Sequence, residues 1–148
     1  MKRNLIYISI LLIALSACTP MAIKNADFGW PIESVLKSDI TGKVSEPRYA
    51  VSFNIKDLMK EETGSFSDFK KREIRLIRNS KGYYFVTSKS FKHVYVFNAS
   101  DGSLVLENKL PVAINGLTNP VFNQRDPHIE LIDGSNKFLL TSKEIVRK

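Results

Sequence analysis

The chain predicts a mainly β fold, a small antiparallel β-sandwich or partly closed β-barrel with one or two short helices, on three observations. Tyr49, Val51, Phe53 and Ile55 alternate with Ala50, Ser52, Asn54 and Lys56, the period-2 pattern of a half-buried strand. Apolar runs are joined by turn-forming residues at Asn98 to Ser103 and again at Asp133 to Asn136, which is hairpin chemistry. Only one stretch, from Asn54 or Lys56 to about Glu62, supports a helix, with Leu58 and Met59 as its apolar face.

In chain order, Ile32 to Leu36 and Ile74 to Ile77 are short strands. Gly82 to Thr87, containing Tyr83, Tyr84, Phe85 and Val86, is apolar on both faces and reads as a central strand covered on both sides. His93 to Phe97 pairs with Leu104 to Leu106 in the first hairpin, and Ile129 to Ile132 pairs with Phe138 to Thr141 in the second. Asn119 to Arg125 reads as part of a long polar loop at 111 to 127, with Val121 and Phe122 folding back over the sheet. Seven to nine short strands result, which suits a sandwich or barrel. Asp-Gly-Ser recurs at a spacing of 32 residues and Thr-Ser-Lys at a spacing of 54; the spacings disagree, so no repeat unit organises the chain.

The N-terminus has a different character. Lys2 and Arg3 precede an eleven-residue apolar run, Leu5 to Leu15, followed by small Ser16-Ala17 and by Cys18. That is the layout of a secretory signal, and it is too short for a transmembrane helix, which needs roughly 20 apolar residues. Leu15-Ser16-Ala17-Cys18 resembles the lipobox of bacterial lipoproteins. The resemblance implies cleavage before Cys18, diacylglycerol on its sulfur and an acyl chain such as palmitate on the new amino group. Cys18 is the single cysteine of the chain. Thr19 in place of Asp resembles the outer-membrane sorting class of enteric-type lipoproteins. The division expected is a signal peptide at 1–17, a lipid-anchored tether at 18–27 and one β-rich domain at 28–148. A ten-residue tether spans roughly 18 Å, so the domain lies close to the headgroups.

Charge is the next feature. Loss of Lys2 and Arg3 with the leader leaves 20 Lys and Arg against 15 Asp and Glu. Between residues 69 and 93, eight basic residues face Glu73 alone. Lys70, Lys71, Arg72, Arg75, Arg78 and Lys81 are therefore candidate contacts for anionic lipid headgroups or an acidic envelope protein, at about 1 kcal/mol each near a charged surface. The competing reading is a solvated sheet face. Alternation along the strand already splits Arg75 from Arg78. An exported chain with no nucleic-acid-binding motif is not expected to bind nucleic acid.

Chemistry-bearing motifs are sparse. No Gly-x-Ser-x-Gly elbow, phosphate-binding glycine loop or His-Glu-x-x-His is present. Asp126, His128 and Glu130 would share one side of an extended segment, and His93 would be a fourth ligand, which makes them weak metal candidates. Trp30, held extended by Pro31, is the candidate binding aromatic. The reading favoured is a non-enzymatic envelope lipoprotein without a cofactor beyond its covalent lipid, binding a protein or glycan partner through the basic face or the loop at 111 to 127. Two alternatives stand beside it. One is a carrier whose closed barrel encloses a small apolar ligand among Tyr49, Val51, Phe53, Tyr83 and Phe85; the other is a metal-dependent hydrolase around His128. Replacement of Cys18 tests the anchor directly: Cys18→Ser is expected to yield an uncleaved or unlipidated form that leaves the detergent phase, and partition equal to wild type would refute the lipoprotein resemblance.

Overall fold

A computed structural model describes residues 32–65, 69–100 and 103–146. The lipobox with Cys18, the tether and Trp30 lie outside the described residues. The order of elements is β1 (Ser34–Lys37), β2 (Lys43–Glu46), a 3-10 turn (Pro47–Tyr49), β3 (Val51–Asn54), α1 (Lys56–Thr63), β4 (Glu73–Arg78) and β5 (Tyr84–Thr87). It continues with β6 (His93–Ser100), β7 (Ser103–Pro111), β8 (Pro120–Arg125), β9 (His128–Asp133), β10 (Asn136–Leu140) and β11 (Ile145–Val146).

The strands form a five-stranded sheet in the order β1-β4-β5-β6-β7, a four-stranded sheet in the order β11-β10-β9-β8, and a separate β2-β3 hairpin. Their pairings are antiparallel. The sheets do not close into a barrel, so of the two architectures expected, the sandwich is the one formed.

The centre of the five-stranded sheet is buried from both sides, as β5 shows. All four of its residues are buried, and alternation sends Tyr84 and Val86 to one core and Phe85 to the other. On the first face, Val44, Ile55, Leu58 and Met59, from the β2-β3 hairpin and α1, pack on Ile74, Leu76, Tyr84, Val86 and Tyr95. On the second, Ile77, Phe85, Val94, Val96 and Leu110 meet Phe122, Ile129, Leu131 and Leu140 of the four-stranded sheet. The same geometry corrects the carrier reading. Tyr49, Val51 and Phe53 belong with the first core, and Tyr83 and Phe85 with the second, so the sheet itself separates residues that were to share one cavity.

Both expected hairpins form, with longer strands than the sequence suggests. Ser100 pairs with Ser103 in the first, and in the second Asp133 pairs with Asn136 across a two-residue turn. In the first hairpin the register shifts between Val96 and Phe97, which face Asn108 and Leu106 and leave Glu107 as the extra residue. Helix α1 closes at Gly64, whose φ of 72° suits the left-handed turn that ends it and whose N–H reaches the Lys60 carbonyl at 2.8 Å. Its inward face is Leu58, Met59 and Glu62.

Two strands correct the sequence reading. The segment expected to be loop at 119 to 125 is β8, an edge strand that opens with Pro120, where the missing N–H costs no ladder bond. Its Val121 and Phe122 pair with Ile132 and Leu131 of β9. Strand β2 carries one apolar residue, Val44, and buries Glu46 against Arg48 at 3.0 Å, so its alternation is invisible to a hydrophobic count.

One carboxylate ties the layers together. Glu33, just ahead of β1, accepts from Arg75 of β4 at 3.0 Å and from the backbone N–H of Phe122 on edge strand β8 at 2.8 Å. It thereby satisfies an edge donor that would otherwise face an unpaired side. Glu33→Ala is expected to lower unfolding free energy in urea by about 2 kcal/mol, the scale of a lost charge-assisted bond, while Glu33→Gln, which keeps an acceptor for Phe122, should lose clearly less.

Candidate functional site: an apolar ridge between two clefts

The basic residues singled out by the sequence do not assemble into one surface. Arg75 lies between Glu33 and Glu73 at 3.0 and 2.7 Å. Arg72 donates to Ser88 Oγ at 3.0 Å and to the Lys89 carbonyl, and its guanidinium lies over the Phe91 ring. Arg78 sits over Tyr49 and Tyr84 at 5.7 and 5.5 Å, a cation–π arrangement. Lys70 and Lys71 precede β4 and Lys81 follows it; all three are exposed. Three arginines are thus committed inside the fold, and three lysines stand at opposite ends of one strand.

The weak metal candidates also part company. Asp126 is exposed in the β8-β9 turn, His128 is half-buried, and Glu130 is buried with Asn123 Nδ2 and Arg125 Nε each 3.4 Å from its Oε2. Among the described residues no three His, Cys, Asp or Glu side chains converge where a metal ion would sit. His93 belongs to the other sheet and is hydrogen-bonded to Glu62 at 2.8 Å.

What the structure does build is a display loop at 112–119, within the segment the sequence nominated. Its start hangs on the Lys92 carbonyl, which accepts from Val112 N at 2.9 Å and Ala113 N at 3.1 Å. Its far side exchanges bonds with the 88–92 segment: Leu117 N donates to Phe91 O at 2.8 Å and Ser90 N to Leu117 O at 2.7 Å. Val112 and Leu117 are buried as apolar anchors. Gly116, at φ 84°, lets the two segments touch, since a Cβ there would lie 2.6 Å from the Ser90 carbonyl oxygen.

Beyond these anchors Ile114 projects into solvent with 92% of its surface exposed. It stands between two open clefts. One, of about 580 Å³, runs along residues 112–118 to the β9-β10 turn and Phe138. The other, of about 400 Å³, is lined by Lys92, His93, Pro111, Val112, Ala113 and Ile114.

Two buried carboxylates fix the walls of these clefts. Glu62 has a fully buried side chain and accepts from Lys92 N at 2.6 Å, His93 Nδ1 at 2.8 Å and Tyr95 Oη at 2.8 Å. Burial, reinforced by the bond to Glu62, pushes the Tyr95 hydroxyl far above its ordinary range. Asp133 accepts from Thr118 N and Oγ1 and from Asn119 N, at 2.6 to 3.1 Å. Burial alone would raise its carboxyl, but these donors outweigh burial and hold it below the usual range.

Sequence reasoning located the loop but missed Glu62 and Asp133. Their burial follows from partners distant in the chain, and the one local hint was a carboxylate on the apolar side of α1. The chain matches no protein-family model, no curated protein and no solved structure. No helix among the described residues is long and apolar enough to cross a membrane.

The Asp133 linkage has a definite sign. Its folded pKa is depressed, so its stabilisation is present above the unfolded carboxyl value of about 3.9 and is lost as pH falls through the lower folded value. Asp133→Asn is expected to cost about 2 kcal/mol at pH 7, with the gap to wild type narrowing below about pH 4. Parallel urea titrations at pH 7 and pH 3 check this.

Proposed function

We propose that this chain is a lipid-anchored, non-enzymatic module of the bacterial cell envelope, held through Cys18 on the outer membrane, that binds a protein partner with the Ile114 ridge and its flanking clefts. The observation that carries the reading is an isoleucine 92% exposed on a loop whose backbone is pinned at both ends. A loop held this firmly has given up conformational freedom before any partner arrives, which lowers the entropy cost of association. Covering one isoleucine contributes about 1.5–3 kcal/mol, on the scale of an interface anchor. A protein fits the ridge better than a glycan, whose hydroxyls would lose hydration over an aliphatic side chain without gaining hydrogen bonds.

The anchor part rests on the Leu15-Ser16-Ala17-Cys18 resemblance, and the lysines at 70, 71 and 81 would add a modest attraction to anionic headgroups.

A photo-crosslinking residue placed at 114 in the full chain is expected to trap one discrete envelope protein, while the same residue at the exposed position 40 should not. The purified partner should then bind wild type and lose at least tenfold in affinity for Ile114→Asp. Equal trapping at both positions, or unchanged affinity, would defeat the proposal.

A further inference from the structure

The smaller cleft carries more chemical information than an apolar ridge alone. Its walls, Pro111, Val112, Ala113 and Ile114, are apolar, and its remaining two lining residues, Lys92 and His93, bring an ammonium and an imidazole. Lys92 is exposed and makes no ion pair among the described residues. His93 uses Nδ1 on the buried Glu62 carboxylate, which fixes the ring and leaves Nε2 without a hydrogen-bond partner among the described residues. The ring is positioned rather than adaptable, because Glu62 is held in turn by Lys92 N and Tyr95 Oη. Because Nδ1–H is given to a carboxylate, Nε2 of the neutral ring is an acceptor, so an ammonium and an oriented acceptor beside an apolar trough complement a carboxylate whose adjoining carbon bears an N–H and an apolar side chain.

We infer that the cleft formed by Lys92, His93 and residues 111–114 receives the C-terminus of a polypeptide, its α-carboxylate on Lys92 Nζ, the backbone N–H of its last residue on His93 Nε2, and a bulky apolar last side chain against Val112 and Ile114. This rests on the reading of the ridge as a protein-binding surface and names the part of the partner that enters. A volume of about 400 Å³ suits one or two residues. Ile114 continues the apolar surface beyond the cleft, with 92% of its area exposed; the residues preceding a polypeptide's C-terminus cover that area, and a lone fatty acid seated in the trough does not. Capture of a terminal carboxylate is an established mode of peptide recognition.

The test uses the full, lipidated chain in nanodiscs and fluorescence anisotropy of a labelled hexapeptide ending in Leu-Phe, once with a free carboxylate and once as the C-terminal amide. The free acid is expected to bind at least tenfold tighter than the amide. Lys92→Gln, which leaves the backbone bonds of Lys92 in place, should erase most of that difference, and His93→Asn, which retains a donor for Glu62 and removes the Nε2 acceptor, should weaken acid and amide alike by at least fivefold, while thermal melts of both variants stay near wild type. Equal binding of acid and amide, binding of neither at millimolar peptide, or displacement of the peptide by decanoate through the same two side chains with equal strength would overturn the inference. If crosslinking at position 114 still traps a partner in any of those cases, the ridge stands as an interface and only the carboxylate assignment falls.

Discussion

The middle of the five-stranded sheet is buried on both faces, and the arrangement of the other elements answers to that. Its central strand, Tyr84–Thr87, is buried throughout, so the chain must supply a cover for each side. The β2-β3 hairpin and α1 supply one from the sequence preceding β4, and β8 to β11 supply the other from the sequence following β7. Neither cover is a complete core by itself. The helix has eight residues, short for stability outside a tertiary context, and β11 has two. The sheet thus works as a shared wall, and loss of packing on either side exposes apolar area on both partners.

Polar ties complete what apolar packing leaves unspecified. Hydrophobic contact fixes neither the sliding position of one layer over another nor the path of a loop, whereas a carboxylate with two or three donors accepts one geometry. Glu33 sets β1 and β4 against β8, Glu62 sets α1 against β6, and Asp133 sets the 118–119 segment against β9. Asp133 bonds the loop that carries Ile114 directly, at Thr118 and Asn119, and Glu62 bonds the N–H of Lys92, whose carbonyl holds the start of that loop. The loop's rigidity therefore comes from the same bonds that align the layers, and the display of an apolar side chain is a by-product of a well-tied fold.

Much of this architecture was legible in order, because the signals were local. The run Tyr83 to Thr87, apolar in consecutive positions, announced a doubly covered strand, and the turn residues at 98 to 103 and 133 to 136 announced both hairpins. Strands β2 and β8 were not legible. Lys43 to Glu46 offers one apolar residue, and Pro120 to Arg125 offers Asn, Gln and Arg where alternation needed apolar side chains. Each is recruited by a neighbour, β2 by β3 and β8 by β9, so the information lies in the pairing. The candidate site divided the same way. The loop at 111 to 127 was nominated for its length, whereas the basic run at 70 to 81 looked like a patch because linear charge does not record that Arg72, Arg75 and Arg78 find partners inside the fold.

The position of Glu33 bears on how the domain would withstand force. Tension applied at Ile32 reaches Glu33 ahead of the four-residue β1-β4 ladder. Because its carboxylate is bonded to Arg75 and to the Phe122 backbone, a pull is divided between two sheets before any rung of that ladder is stretched. Loaded between this end and another surface, the domain would have to part the Glu33 bonds before β1 could peel from β4, and Glu33 would then act as a mechanical clamp.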